Sequence, residues 1–243
     1  MEIIERTWKM VFISIFLSLM FLSGSLSDNS KVKMTFYYES LCPWSAKYIS
    51  EQLYPTYQKL GRHINLDYIP YGNAEMTYHP SNSSYTFDCQ HGPEECLGNK
   101  IQGCLRHGFN DTSYDATLLQ LRIVNCMMGT ANFGRLFHCM EEVYPGENFG
   151  PLYEKILDCA TGSEGTKILA EMGNDTMVLT PPNEHVPWVT VDGKHEDKAE
   201  ENLSQFLCKE KLMNVSECKG KSMKGDNEIW NPNMFYQLEY NIE

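Results

Sequence analysis

The stretch KVKMTFYYESLCPWSAKYISEQLYPTYQKLGRHINLDYIPYG, residues 31–72, decides the fold. Apolar residues alternate in KVKMTFYY, which predicts a half-buried strand. From Ala46 to Leu60 they recur at spacings of three and four, which predicts a helix that Pro55 kinks and Gly61 ends. HINLDYIPYG predicts a second strand. Strand, helix and strand in about forty residues form a βαβ unit, so we expect an α/β fold with these strands parallel.

The rest of the chain adds a long insertion and a second strand–helix segment. Residues 73–182 hold six of the nine cysteines, and TLLQLRIVNCMMG and FGPLYEKILDCATG have helical periodicity. This region is predicted to be a disulfide-rich, mostly helical insertion. HVPWVTVDGK then predicts a strand and EDKAEENLSQFLCKEKL a last helix. The segment 219–243 is polar and is treated as a C-terminal tail.

The beginning of the chain indicates the secretory pathway. Residues 11–22 are an apolar run too short to span a bilayer comfortably, and small residues follow, so 1–27 is predicted to be a signal peptide. A retained signal anchor is the alternative. Glycosylation sequons occur at five positions, which supports an extracellular or lysosomal location: Asn82, Asn110, Asn174, Asn202 and Asn214.

The charge of the chain limits its partners. Its 32 acidic and 20 basic residues give a net charge of −12. Binding to phosphate groups requires Lys and Arg, so nucleic acid is not an expected partner. No second apolar run reaches the length needed to span a membrane. No membrane span is therefore expected in the mature chain, which comprises one predicted domain, 28–218, and the tail 219–243.

Nine cysteines in an oxidising compartment leave at least one unpaired. We predict that Cys42 is free and that the other eight form disulfides. Cys208 with Cys218 is the one local pairing predicted. Zinc binding by Cys89, Cys96 and Cys104 is disfavoured because six and seven residues separate these cysteines, whereas zinc sites use shorter spacings. No metal is therefore expected. The eight are Cys89, Cys96, Cys104, Cys126, Cys139, Cys159, Cys208 and Cys218.

Cys42 lies where a strand gives way to a helix. It occupies the N-cap position and Pro43 follows at the first helical position. The backbone N–H groups of Trp44 and Ser45 and the positive end of the helix dipole then favour the thiolate. We therefore predict a reactive nucleophile; a structural half-cystine that begins a helix is the alternative. Trp44 lies outside the apolar stripe and is predicted to contact substrate.

Ser45 stands where a Cys-x-x-Cys redox site carries its second cysteine. A serine hydroxyl cannot resolve a mixed disulfide, although it can donate a hydrogen bond to the Cys42 thiolate. Turnover is therefore expected to need an external small thiol such as glutathione or cysteine, and no bound cofactor. Val186 and Pro187 precede the later strand. In redox folds of this kind a cis-proline at that place lies beside the reactive cysteine and its neighbouring backbone can bind substrate; an ordinary proline at a strand start is the alternative.

Four segments together carry a family resemblance: FYYESLCPWS, LDYIPYGNA, CQHGPEECLGNKIQGC and HVPWVTVDGK. They resemble the gamma-interferon-inducible lysosomal thiol reductase family from about Met34 to Cys218. The resemblance implies a thioredoxin-like fold with a helical insertion, and reduction of protein disulfides in acidic endocytic compartments. The family's catalytic pair falls on Cys42 and Ser45, so the second cysteine is absent, as in a Cys-Pro-x-Ser form similar to that of invertebrate members.

Two functions remain open from the sequence. The first is a thiol oxidoreductase that attacks disulfide-bonded proteins through Cys42. The second is a non-enzymatic secreted glycoprotein that uses the same fold to bind partners or to capture them in a stable mixed disulfide. His91 is expected to order its loop, with a position near the substrate as the alternative. Tyr37, Tyr38 and Glu39 are expected to serve packing and loop geometry rather than acid–base chemistry.

Overall fold

The computed structural model describes residues 31–109, 113–143, 145–146 and 148–219. Its centre is the predicted βαβ unit. Strand β1, Val32–Tyr38, pairs in parallel with β2, Ile64–Pro70, along their whole length. Alternate residues of β1 are buried, since Met34, Phe36 and Tyr38 have no exposed surface. The period-two pattern of the sequence therefore sets which face of this strand packs against the core.

The connection between these strands is helical but not one regular α-helix. It begins as α1, Pro43–Tyr48, continues as a π-helical turn, Ile49–Leu53, and ends as α2, Tyr54–Leu60. Pro55 has no N–H and its ring would clash with the preceding turn of a regular helix, and a π-turn is a common way to relieve this. Gly61 keeps right-handed dihedral angles and begins a short 3-10 turn.

The later strands complete the sheet in the order β2-β1-β5-β6. Strand β5, Trp188–Val191, runs antiparallel to β1, and the short β6, Lys194–His195, pairs antiparallel with β5. A parallel βαβ unit extended by an antiparallel hairpin and followed by helix is a thioredoxin-like fold. The predicted fold class is thus confirmed.

The insertion begins with a β-hairpin that the sequence pattern did not predict. Strands β3, Glu75–His79, and β4, Ser84–Asp88, pair only with each other, and most of their residues are half-buried or exposed. Apolar residues do alternate along both strands, at Met76 and Tyr78 and at Tyr85 and Phe87, so the pattern was present in the sequence although the hairpin was not predicted from it. Five helices follow: α3 Pro93–Gly108, α4 Tyr114–Met127, α5 Phe133–Val143, α6 Gly150–Thr161 and α7 Ser163–Met177.

The last helical segment is interrupted, and the prediction of one continuous helix was wrong there. It consists of α8, Asp197–Glu201, α9, Leu203–Phe206, and a π-helical turn, Leu207–Lys211. Asn202 between them is extended, and its side chain accepts the backbone N–H of Gln205 at 3.0 Å. Asparagine competes for the backbone in this way, so it restarts the helix as a cap.

Four disulfides join eight cysteines, and three of the four lie within the insertion. The pair Cys208–Cys218 was predicted from the sequence. The other three disulfides are Cys89–Cys96, Cys104–Cys159 and Cys126–Cys139. Within the described residues, no helix is long and apolar enough to cross a membrane. The predicted signal peptide 1–27 and the tail beyond residue 219 lie outside the described residues.

Candidate active site

Cys42 is the free cysteine of the described chain, and it occupies the predicted N-cap of α1. Its backbone is extended, with φ −69° and ψ 120°, and its carbonyl accepts the N–H of Ala46 at 3.0 Å, which closes the first turn. The side chain is only 5% exposed and makes no capping hydrogen bond. The sulfur therefore lies at the start of the helix without a backbone N–H donating to it.

Ser45 lies one turn further along the helix and has no exposed surface. Its Oγ accepts the backbone N–H of Glu39 at a long 3.5 Å. This hydrogen bond connects the Ser45 hydroxyl to the segment that precedes Cys42, rather than to the sulfur of Cys42. The position that would hold a resolving cysteine is buried and has a local structural partner.

The surface beside Cys42 contains the residues predicted to meet substrate. Trp44 is 69% exposed, as expected for a side chain outside the apolar stripe. The Val186–Pro187 peptide bond is cis. Tyr37 of β1 pairs with Trp188 of the antiparallel β5, so Pro187 and the end of β1 that leads to Cys42 lie at the same sheet edge. Substrate contact by Trp44, Val186 and Pro187 stays a prediction.

Glu39 is the residue after β1 and is completely buried. Its Oε1 accepts the backbone N–H of Asn73 at 2.8 Å, whereas its Oε2 has no hydrogen-bond partner. Burial raises the pKa of Glu39, the Asn73 N–H lowers it, the nearby Glu95 carboxylate raises it and His91 lowers it, with a net upward shift. Glu39 therefore has a greater tendency to be protonated than an exposed glutamate.

His91 and Glu95 face Glu39 from the start of α3. The His91 backbone N–H donates to Glu95 Oε1 at 3.1 Å, and Nδ1 lies 2.6 Å from Glu95 Oε2. His91 Nδ1 is also 3.4 Å from Glu39 Oε2, but without hydrogen-bond geometry. Ligand atoms of these three residues lie within 4.8 Å of one another, so the cluster has a donor set that could hold a divalent cation.

Helix α3 also binds Ser40, which stands two residues before Cys42. The Ser40 N–H donates to Asn99 Oδ1 at 2.9 Å, and its hydroxyl donates to the Glu95 carbonyl at 3.2 Å. The Gly129 N–H donates to the Ser40 carbonyl at 3.0 Å. Ser40, Glu95 and Asn99 are all fully buried. The family motif that supported the resemblance thus contacts the segment that carries the cysteine.

A second polar cluster lies beyond Pro187. Glu200 of α8 accepts the Val189 N–H at 2.9 Å and lies 2.9 Å from His185 Nε2 and 2.8 Å from His195 Nε2. The His195 ring stacks on Trp188 with centroids 3.4 Å apart. His195, Asp197 and Glu200 form a second group, among the residues that the structure describes, whose ligand atoms could hold a cation.

Several of these contacts were outside the reach of sequence reasoning. Glu39 and His91 were expected to serve loop geometry, which stays a prediction, and their mutual approach was not foreseen. The spacing of four between His91 and Glu95 around a Gly-Pro helix start was an available signal. No sequence signal indicated the roles of Ser40 and Glu200. Burial raises the pKa of Tyr37 to about 12 and raises that of Tyr38 well above its ordinary value, so neither suits acid–base work at ordinary pH.

The described sequons are all on the surface. Asn82, Asn174, Asn202 and Asn214 are exposed, so a glycan could be attached to each; Asn110 lies outside the described residues. Glycosylation stays a prediction.

A thioredoxin-like sheet, a free cysteine at the start of the helix after β1, and a cis-proline at the same edge define a thioredoxin-like thiol oxidoreductase. A family model described as gamma interferon inducible lysosomal thiol reductase (GILT) matches residues 33–143. The chain is 36% identical over 193 residues to GILT-like protein 1 of Drosophila melanogaster, covering 74% of each chain. It belongs to the GILT family.

Two further similarities extend beyond insects. The gamma-interferon-inducible lysosomal thiol reductase of Carassius auratus is 34% identical over 184 residues, which cover 74% of this chain and 68% of that protein. The crystal structure of reduced DsbA from Mycobacterium tuberculosis aligns with a TM-score of 0.42 at 19% identity, over 72% of this chain and 78% of that one.

Proposed function

We propose that this protein reduces disulfide bonds of protein substrates through Cys42, and that an external small thiol completes each cycle. The observation that carries the proposal is the place of Cys42: it is unpaired, while the other eight cysteines are joined, and it begins the helix after β1. The names of its relatives, which describe lysosomal thiol reductases, support the same chemistry.

The first step forms one disulfide and breaks another. The Cys42 thiolate attacks one sulfur of the substrate disulfide, so the Sγ–S bond forms as the substrate S–S bond breaks, and the departing thiolate takes a proton. Trp44, which is exposed, and the backbone at Val186 and Pro187 are the groups proposed to hold the substrate chain beside the sulfur.

Ser45 determines how the mixed disulfide is resolved. An oxygen nucleophile cannot displace it, so a small thiolate such as glutathione or cysteine attacks Cys42 Sγ and releases the second substrate thiol. Another small thiol then frees Cys42 and leaves as the oxidised small disulfide. The sum is one substrate disulfide and two small thiols giving two substrate thiols and one small disulfide.

Trapping experiments test this proposal. The reduced wild-type protein, mixed with a disulfide-bonded protein and no small thiol, should give a mixed disulfide on non-reducing gels that added glutathione releases. Cys42→Ser and Cys42→Ala should both give none, and the alanine variant controls for the introduced hydroxyl. Equal reduction by wild type and both variants would contradict the proposal.

Stable capture without turnover is the second candidate, and the buried Ser45 at the resolving position favours it. It predicts that the mixed disulfide forms but resists millimolar small thiol at both acidic and neutral pH. Catalytic reduction of excess substrate in the presence of thiol separates the enzyme from such a capture protein. We propose that either activity operates in the secretory pathway, in lysosomes or outside the cell, where the chain's disulfides persist.

A further inference from the structure

We propose that Glu39, His91 and Glu95 form a binding site for a divalent transition-metal cation, and that Zn²⁺ is the ion that suits their ligand atoms best. The proposal goes beyond the thiol chemistry of Cys42 and does not depend on it. The expectation of no metal from the sequence concerned cysteine ligands, whereas the ligands here are one imidazole and two carboxylates.

One oxygen of the Glu39 carboxyl group has no hydrogen-bond donor. Oε1 accepts the Asn73 N–H at 2.8 Å, whereas Oε2 is buried and no described residue donates a hydrogen bond to it. His91 Nδ1 lies 3.4 Å from Oε2, but without hydrogen-bond geometry. Burial of a charged oxygen without a donor or a cation is unfavourable. This oxygen, which is directed at the imidazole, is therefore available to a ligand that the neighbouring side chains share.

The distances between the ligand atoms suit a metal ion. Ligand atoms of Glu39, His91 and Glu95 all lie within 4.8 Å of one another. Two nitrogen or oxygen ligands that are each about 2.1 Å from a tetrahedral Zn²⁺ stand about 3.4 Å apart. The separation of His91 Nδ1 and Glu39 Oε2 is 3.4 Å. A cation can thus reach bonding distance from both atoms while their separation stays as it is.

Glu95 is the ligand that must adjust. Its Oε2 lies 2.6 Å from His91 Nδ1, which is a hydrogen-bond distance, and its Oε1 accepts the His91 backbone N–H at 3.1 Å. When the cation binds both atoms in place of this hydrogen bond, Oε2 and Nδ1 move apart by about 0.8 Å. The neutral imidazole then carries its proton on Nε2, so that Nδ1 presents its lone pair to the cation.

The charge of the cluster also favours a divalent cation. Glu39 and Glu95 are both fully buried, and when ionised they place two negative charges beside one imidazole. A cation of charge +2 compensates both carboxylates, so that the occupied site, with a neutral His91, has no net charge. Buried charges in proteins are paired or coordinate a metal for this reason.

The mixture of ligands discriminates among cations. Imidazole nitrogen is a good ligand for Zn²⁺, whereas Ca²⁺ and Mg²⁺ prefer oxygen ligands alone. The His91 side chain is 36% exposed, while that of Glu39 has no exposed surface. The ion therefore enters from the side of the imidazole, where water can complete its coordination.

Binding at this place connects two segments that are distant in the sequence. Glu39 follows β1, and its carbonyl accepts the Cys42 N–H at 3.4 Å. His91 lies just before α3 and Glu95 lies in the first turn of that helix. Because folding brings the three ligands together, the ion binds the folded chain in preference to the unfolded chain and should stabilise it.

Titration of the metal-stripped full chain with Zn²⁺ at neutral pH tests the proposal, by calorimetry and by melting temperature. One Zn²⁺ per chain should bind and raise the melting temperature, whereas Ca²⁺ and Mg²⁺ at the same concentration should not. Glu39→Gln and His91→Gln should each weaken binding at least about 100-fold, because loss of a partner outside the ligand set already weakens binding about 10- to 100-fold. If Glu39→Gln does not fold, the partly exposed His91 position decides.

Two controls assign the ion to this cluster. His195→Gln alters the second group of possible ligands and should leave the affinity for Zn²⁺ unchanged. Cys42→Ser should also bind as the wild type does, since the sulfur is not one of the ligands. Loss of binding in His195→Gln or Cys42→Ser, with none in His91→Gln, would move the ion elsewhere and overturn the proposal. Absence of Zn²⁺ binding by the wild type, or binding that none of these substitutions changes, would overturn it as well.

Co²⁺ supplies a spectroscopic check that needs no variant. Bound to one nitrogen and two carboxylates, Co²⁺ should give visible d–d bands without the near-ultraviolet charge-transfer band of a thiolate ligand. Zn²⁺ should then displace it and abolish the bands. A thiolate band would place the ion on Cys42 and overturn the proposal, whatever the outcome for disulfide reduction.

Discussion

Ser45 places an oxygen where a Cys-x-x-Cys site carries its second sulfur. Its side chain is completely buried and one helical turn from Cys42, which is the spacing at which a second sulfur would meet the first. The oxygen there accepts a hydrogen bond from Glu39, so its loss would remove only a long, weak contact. The site therefore retains the geometry for a dithiol while lacking the atom that would make it one.

Replacing this oxygen by sulfur should restore internal resolution. We expect reduced Ser45→Cys to release reduced substrate without added thiol until an internal disulfide between Cys42 and the introduced sulfur accumulates. The wild type should instead stall as the mixed disulfide. Single-turnover release, followed by acid quench and mass spectrometry, measures both. Release by Ser45→Cys that still requires glutathione would show that the two sulfurs cannot meet.

At the scale of elements, helix α3 connects the insertion to the reactive-site turn. Its Glu95 and Asn99 bind Ser40, and between them Gly98 faces Ser40 directly. A Cβ at Gly98 would overlap the Ser40 hydroxyl and lie 3.0 Å from the Cβ of Ala131. Glycine here is required by close approach of the turn and not by backbone conformation, since its φ is ordinary.

Gly98→Ala should therefore destabilise the protein, although alanine in a helix normally stabilises by about 1 kcal/mol relative to glycine. We expect overpacking against Ser40 to outweigh this gain and to lower the free energy of unfolding by roughly 1–2 kcal/mol, together with slower alkylation of Cys42. Gly134→Ala is the control, because its Cβ would meet only Asn132 Oδ1 at 3.4 Å. Urea denaturation of both variants decides; equal stability of Gly98→Ala and wild type would show that the turn yields freely.

At the scale of the whole molecule, the sequence predicted the features that depend on the spacing of apolar residues and on local backbone chemistry. The buried alternation in β1, the helix start at Cys42 and the strand after Pro187 all appear where the pattern indicated. The hairpin β3–β4 was missed although EMTYH and SYTFD alternate between polar and apolar residues, because the whole insertion was predicted to be mostly helical. The approach of Glu39 to the distant His91 could not be predicted, because only the packing of α3 against the sheet brings them together.

The disulfides act at this same scale, and their effects should differ with the length of chain that each closes. Cys104–Cys159 spans a separation of 55 and joins α3 to α6, whereas Cys208–Cys218 spans 10 at the end of the described chain. Loop-closure entropy gives roughly 4 kcal/mol for the first and roughly 3 kcal/mol for the second. Cys104 and Cys159 are also buried, so replacing them disturbs the core of the insertion.

We therefore expect the double variant Cys104→Ser, Cys159→Ser to lose more stability than Cys208→Ser, Cys218→Ser, by at least about 1 kcal/mol in guanidinium unfolding. The first pair should also lower the rate of Cys42 alkylation, because α3 carries Glu95 and Asn99, which bind Ser40. The second pair lies away from α3 and should leave that rate unchanged. Equal losses of stability with unchanged alkylation in both variants would mean that the reactive-site turn keeps its geometry independently of how the insertion is tied together.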